Sequence, residues 1–226
     1  MATESEFAPF EFKSLVNGKD TLVGADIELA KAIGEKLGVK VEFSVMSFDN
    51  VLANVQSGKA DIAIAGISVT DERKKVYDFS DSYYTSENVV IVKKDKVNDY
   101  TSTDSLAKQT VGTQKGSVQE TVAKKQIPKA SVVSLASNGE MINELKSGQL
   151  QAVVLEKAIA EGYIAQNDDL TLPTLISSQM VQMLMPSQHV RSDDLLKEIN
   201  AVIKETKDSG KFDQWLKEAS TYKQSK

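Results

Sequence analysis

Two stretches decide the fold: Asp26–Val45, DIELAKAIGEKLGVKVEFSV, and Asn50–Gly66, NVLANVQSGKADIAIAG. In the first, Ile27, Ala30, Ile33 and Leu37 recur at helical spacing, Asp26 is placed to cap the start and Gly38 lies just past the end. Val39, Val41, Phe43 and Val45 then alternate with polar residues, the period of a half-buried strand. In the second, Val51, Leu52 and Val55 mark a short helix, Gly58 a stop, and Ile62–Ala65 an apolar strand. Helices alternating with strands predict parallel α/β layers.

The same grammar returns later. EMINELKSGQLQAVVLE, Glu140–Glu156, aligns without a gap on NVLANVQSGKADIAIAG, with Ser147-Gly148 falling on Ser57-Gly58. Two halves of like architecture follow, although generic α/β units share such a pattern without common origin. Between them, VVIVKKDKVNDYTSTDSLA (Val89–Ala107) passes from an apolar strand into charged, polar sequence, the first candidate crossing between lobes; MVQMLMPSQHVRSDD (Met180–Asp194) is the second. Beyond it, Leu195, Leu196, Ile199, Val202 and Ile203 make an amphipathic helix ended by Gly210, and Phe212, Trp215 and Leu216 another.

Composition narrows the functions. The 226 residues are 41% hydrophobic and 26% charged, an ordinary globular balance, long enough for one large domain or two small lobes. A net charge of −5 lacks the basic face that nucleic-acid binding requires. Zero cysteines remove disulfides, thiolate metal sites and thiol nucleophiles, without fixing a compartment. Apolar runs fall far short of the ~20 residues needed to span a bilayer, and no charged-then-apolar signal segment precedes Glu4.

Ligands in open α/β sheets gather beyond the carboxyl ends of strands, which directs attention to Gly66–Arg73 and to Glu156. If the halves face one another, the Arg73 guanidinium and the Glu156 carboxylate could address the two charged ends of an amino acid. Arginine suits a carboxylate because its planar fork binds bidentately, as a lysine point charge does not. The plainer alternatives are an exposed helix arginine among Glu72, Lys74 and Lys75, and a solvated carboxylate at a strand end. Ser68 and Thr70 are most simply cap or turn residues. In TVGTQKGSVQETVAKK, a strand through Val111 leads to Gly116-Ser117 opening a helix with Val118 and Val122, whose first N–H groups can hold an anion. The stretch lacks P-loop spacing, which disfavours a nucleotide. Phe10 and Phe12 read as core, whereas Phe7 and Phe48, in segments expected to enter loops, are candidate cleft walls. The single histidine, His189, reads as an exposed loop residue.

EFAPFEF, VGADIELAKAIGEKLGVKVEF, SFDNVLANVQSGKADIAIAGISVTDERKKVYDFSDSYY, VGTQKGSVQE and LQAVVLE together resemble the polar amino-acid solute-binding proteins of ABC importers (bacterial extracellular solute-binding proteins, family 3), over nearly the whole chain. The AGISVTDERKKVYDFSDSYY block is the most specific. The resemblance implies a two-lobed periplasmic-binding-protein-like α/β fold (type II), each lobe a mainly parallel sheet flanked by helices. Lobe 1 would comprise residues 1–92 with 186–226, lobe 2 residues 93–185, and two hinge crossings would join them. It implies closure on one amino acid, delivery to a membrane permease, no catalysis, no cofactor, no metal, and a monomer.

By the same resemblance, Arg73 would hold the ligand α-carboxylate with backbone N–H groups at Ser68 and at Gly116, Ser117 and Val118. Glu156, the Ser68 hydroxyl and the Gly66 carbonyl would meet the α-ammonium. Phe7 and Phe48 would sandwich the ligand side chain, Glu4 would sit near its polar tip, and Gln114 and Lys115 would rim the pocket. Glu4, with small Ala65 beside Gly66, ranks arginine or lysine first and glutamine close behind, since burying Glu4 beside an apolar ligand would be costly. Three features depart from the family: Glu156 stands where aspartate is usual, MVQMLMPSQHV replaces the usual closing hinge, and the opening MATESEF suggests a removed leader and a shortened first strand. The expected location is the periplasm, or the outer face of a Gram-positive membrane as an anchored extracellular lipoprotein. The rival readings are a dehydratase-like enzyme with Glu156 as general acid, and a ligand-sensing domain.

Overall fold

The computed structural model describes residues 1–173, 180–184, 186–187 and 193–225. The chain divides into two compact units, Met1–Thr85 with Gln182–Lys226, and Ser86–Val181.

The first unit opens with strands β1 (Ala2–Thr3), β2 (Glu6–Phe7), β3 (Glu11–Val16) and β4 (Lys19–Val23). The last three form an antiparallel meander. Its β3–β4 turn is Asn17-Gly18, both at positive φ, the two-residue hairpin that matches the right-handed twist of strands. Helix α1 (Ala25–Leu37) follows and buries Ile27, Leu29, Ala30 and Ile33. Its N-cap is Gly24, not Asp26. Asp26 is instead drawn wholly into the interior, where Tyr83 Oη donates to Oδ2 at 2.9 Å.

The strand expected from Val39 to Val45 is only β5 (Ser44–Val45). Its parallel partner β1 offers two residues, Ala2 opposite Ser44 and Thr3 opposite Val45, and the Val39 N–H is spent on the Gly34 carbonyl (2.9 Å) at the end of α1. Helix α2 (Phe48–Gln56) forms as expected and buries Phe48, Val51 and Val55. Ile62–Ala65 are buried, yet make an isolated parallel bridge, Ala63 with Ala2, in place of a full ladder. These elements share a core of Ala2, Phe48, Val51, Val55, Ala63 and Ile67. Strand β6 (Ile67–Ser68), helix α3 (Asp71–Lys74) and strand β7 (Asp78–Phe79) follow.

The second unit is a cleaner α/β layer. The long strand β8 (Tyr84–Lys93) enters it, and β9 (Thr110–Gln114), α4 (Val118–Gln126), β10 (Ser131–Leu135), α5 (Asn138–Ser147), β11 (Ala152–Glu156), α6 (Lys157–Gln166) and β12 (Leu170–Thr171) complete it. β9 pairs in parallel with both β10 and β11, while β8 runs antiparallel to β11 and to β12. Val90, Val92, Val111, Ala123, Ala152 and Val154 form the core on one face.

Strand β13 (Met180–Leu184) leads back, so β8 and β13 are the two strands that carry the chain across the unit boundary. Strand β14 (Pro186–Ser187) pairs with β7, and helices α7 (Asp193–Asp208) and α8 (Lys211–Ala219) pack on α1. Residues 185 and 188–192 of the second expected crossing, His189 among them, lie outside the described residues. No described helix is long and apolar enough to cross a membrane.

Candidate functional site

Arg73 is not the solvated helix arginine that its charged neighbours suggest. Thr70 caps α3 by accepting the Arg73 N–H at 3.1 Å, which turns the arginine back along the segment it came from. Its Nη1 donates to the Ser68 carbonyl at 2.6 Å, and its guanidinium lies 5.7 Å from the centre of the Phe48 ring. Glu72, Lys74 and Lys75 around it are all exposed, whereas Arg73 is half-buried. Burial lowers the Arg73 pKa from its ordinary value to about 10, with Tyr77 acting in the opposite sense, so it stays cationic at neutral pH. Ser68 is therefore a strand residue whose carbonyl fixes Arg73, and the capping role belongs to Thr70.

The other candidates of the first unit are Glu4, Phe7, Phe48, Ala65 and Gly66. Phe7 ends β2 and Phe48 begins α2, so neither lies in a loop, and both are buried. Gly66 holds φ at +55°, and a Cβ there would stand 2.5 Å from Phe7 Cε1. Glycine is thus required both by the backbone and by the approach of the ring. Ala65 is fully buried and Glu4 is only 4% exposed, an unusual depth for a carboxylate.

In the second unit, β9 ends at the buried Gln114, and Ser117 caps α4. Ser117 Oγ accepts the Glu120 N–H at 3.3 Å and donates to the Gln114 carbonyl at 2.7 Å. Glu120 reaches back to accept the Gly116 N–H at 3.0 Å, a variant of the capping box. Of the three amides considered for an anion, at Gly116, Ser117 and Val118, the first therefore already faces a carboxylate. The sequence reading missed Glu120, although the Ser-x-x-Glu spacing could have disclosed it.

Glu156 ends β11 and caps α6, with Oε2 accepting the Ile159 N–H at 3.2 Å. It is 1% exposed, so the solvated-carboxylate alternative does not hold. Its Oε1 is buried with no hydrogen-bond partner. Burial raises its pKa from 4.5 to about 7, against the lowering effect of the amides at the start of α6. A carboxylate kept dry, half-satisfied and easily protonated is a strong acceptor for an incoming ammonium. Among the described residues, no group of three His, Cys, Asp or Glu side chains is arranged to hold a metal ion.

A further feature went unread: Glu11, Asp26 and Tyr83, all buried, converge beside Gly66. A charge between two aromatics, Phe10-Glu11-Phe12, was the available signal.

The model of the bacterial extracellular solute-binding proteins, family 3, matches residues 1–219. The arginine-binding extracellular protein ArtP of Bacillus subtilis is 32% identical over 96% of this chain and 84% of its own. An amino acid ABC transporter substrate-binding protein, AbpA, from Streptococcus pneumoniae, solved with L-arginine bound, is 48% identical, covers 97% of this chain and 93% of that one, and superposes with a TM-score of 0.94. A second arginine-bound pneumococcal substrate-binding protein is 43% identical over 99% of this chain and 94% of that one, with a TM-score of 0.95. The glutamine-binding protein GlnH of Bacillus subtilis is 30% identical over 86% of this chain and 73% of its own. The α/β units, the two crossing strands and the reach of the family model along the chain lead to one conclusion: this protein belongs to the bacterial extracellular solute-binding proteins, family 3.

Proposed function

We propose that this protein is the substrate-binding component of an amino-acid ABC importer and that its ligand is L-arginine, with lysine and then glutamine as weaker competitors. The observation that carries the reading is the fixed Arg73 guanidinium, held by the Ser68 carbonyl at 2.6 Å and shielded by Phe48. A guanidinium oriented before the ligand arrives loses little entropy on binding a carboxylate. Arg73 grips the α-carboxylate, Glu156 takes the α-ammonium on its unpartnered Oε1, Phe7 and Phe48 flank the aliphatic stem, and buried Glu4 meets the guanidinium end. The arginine-bound relatives at 48% and 43% identity support the choice of ligand.

The ligand favours the closed form because it interacts with groups of both lobes only when they close. No bond is made or broken, so a cyclohexadienyl acid added to the protein should keep its absorbance unchanged. The protein acts outside the cytoplasmic membrane, as its family does. Its partner there is a membrane permease, and we assign it a lipid anchor and a monomeric state. Calorimetric titration with a panel of amino acids tests the reading: L-arginine should bind most tightly, and a folded protein that binds none of them would overturn it.

A further inference from the structure

The Glu11, Asp26 and Tyr83 cluster has no part in the ligand contacts described above. Glu11 lies on β3, Asp26 in the first turn of α1, and Tyr83 just ahead of β8. All three belong to the first unit, and their exposures are 0%, 0% and 2%. The backbone forces them together. The Asp26 N–H donates to the Phe10 carbonyl at 2.9 Å and the Ala25 N–H to the Pro9 carbonyl at 3.1 Å. Gly24, at φ +128°, lets this happen, because a Cβ there would stand 2.0 Å from the Phe10 oxygen. Tyr83 Oη donates to Asp26 Oδ2 at 2.9 Å, and Oδ1 is buried as well. The Glu11 side chain hydrogen-bonds to the Asp26 carboxyl, and the Gly66 N–H bears on it too.

Two carboxyl groups in hydrogen-bond contact away from water cannot both be ionised; one must supply the proton between them. We propose that Glu11 and Asp26 share one proton, and that this acid–carboxylate pair is a positioning element that holds the Phe7–Gly66 wall of the ligand site. The mechanical link is short. Glu11 pairs with Phe7 across the β2–β3 ladder, and Gly66 touches both the Asp26 carboxyl and the Phe7 ring. With both carboxylates charged, repulsion would drive β3 from the start of α1 and loosen Phe7. The titratable group facing the pair from a third element is Tyr83, whose pKa burial and the two acids push well above the ordinary value, so it remains a donor. Burial likewise raises Asp26 from 3.8 to about 7.

The inference rests on the proposed ligand roles of Phe7 and Gly66, and its test separates the two. Side-chain carboxyl carbons of the wild-type protein, followed by carbon-13 NMR against pH, should show one of Glu11 and Asp26 still protonated at about pH 8. Titration of both as ordinary carboxylates would overturn the proposal whatever the protein binds. Glu11→Gln supplies a permanent N–H donor to Asp26. It should keep the affinity for L-arginine within about twofold and reduce the alkaline fall in the melting temperature of the ligand-free protein to the part that Glu156 contributes, whereas Glu11→Ala should weaken binding about tenfold or more. Equal loss in both variants, with the alkaline fall unchanged, would also overturn it. Failure of the wild type to bind arginine would sink the ligand reading and leave the carboxyl titration intact.

Discussion

Protonation of Glu156 should govern how ligand affinity depends on pH. The free protein holds this carboxyl at a pKa near 7 because it is dry and its Oε1 has no partner. An α-ammonium needs the ionised form, so binding below that pKa must expel a proton. Each pH unit below about 7 then costs roughly tenfold in affinity, about 1.4 kcal/mol, so a hundredfold loss accumulates by about pH 5. Glu156→Gln keeps the shape and an acceptor for the Ile159 N–H, but removes the charge. Removing one partner of a buried charge-assisted pair costs about 2–5 kcal/mol, or roughly thirty-fold to several thousand-fold in Kd, at about pH 8. The assay is calorimetric titration with L-arginine between about pH 5 and 8, in two buffers of different ionisation enthalpy, which counts the protons released. Wild type should release close to one proton at about pH 6, and the variant none from this position. A wild-type affinity flat across the range, without proton release, would refute the reasoning.

Other perturbations follow from the same geometry. Arg73→Lys loses the planar fork and should weaken L-arginine binding by about two orders of magnitude or more, with melting temperature nearly unchanged, by titration and calorimetry; an unaltered Kd would contradict the carboxylate role. Gly66→Ala places a Cβ 2.5 Å from Phe7 at a positive φ, and should cost about 1–3 kcal/mol of stability while weakening the ligand, measured by urea unfolding and titration. Leu145→Ala in α5, fully buried, should cost about 2–5 kcal/mol and leave the affinity of the folded fraction intact. For ligand-free protein, Asp26 and Glu156 bind protons more tightly folded than unfolded. Their contribution is fully present below the unfolded values near 4 and is lost as pH rises through about 7. Melting followed by circular dichroism should therefore show a higher midpoint at about pH 5 than at about pH 8 if these groups dominate, and a lower one would argue against the raised pKa values.

Hydrophobic periodicity disclosed the α/β class well wherever an element carried enough residues to show a period. Helices α1, α2, α5, α7 and α8 and strand β11 lie where spacing put them. The errors occur where tertiary pairing overrides local pattern. Val39–Val45 alternates like a strand, but its partner β1 is too short to support one, and Val39 and Val45 remain 58% and 42% exposed. The Asn17-Gly18 hairpin between Val16 and Lys19 carried a clear turn signal that went unused. Asp26 looked like a cap because caps and buried acceptors are the same residue types, and only the fold reveals Tyr83 above it. At the site, residue type and position singled out Arg73 and Glu156, but not their burial, since charged neighbours make either look solvated. The partners that tune them, the Ser68 carbonyl, the Phe48 face and the α6 amides, arise from backbone geometry and were invisible in the string of letters.

A crystal structure of this protein grown with L-arginine addresses the central claim most directly. The account expects the ligand α-carboxylate on the Arg73 guanidinium and its α-ammonium on Glu156 Oε1. Density for arginine elsewhere, or with both groups turned away from it, would contradict the account.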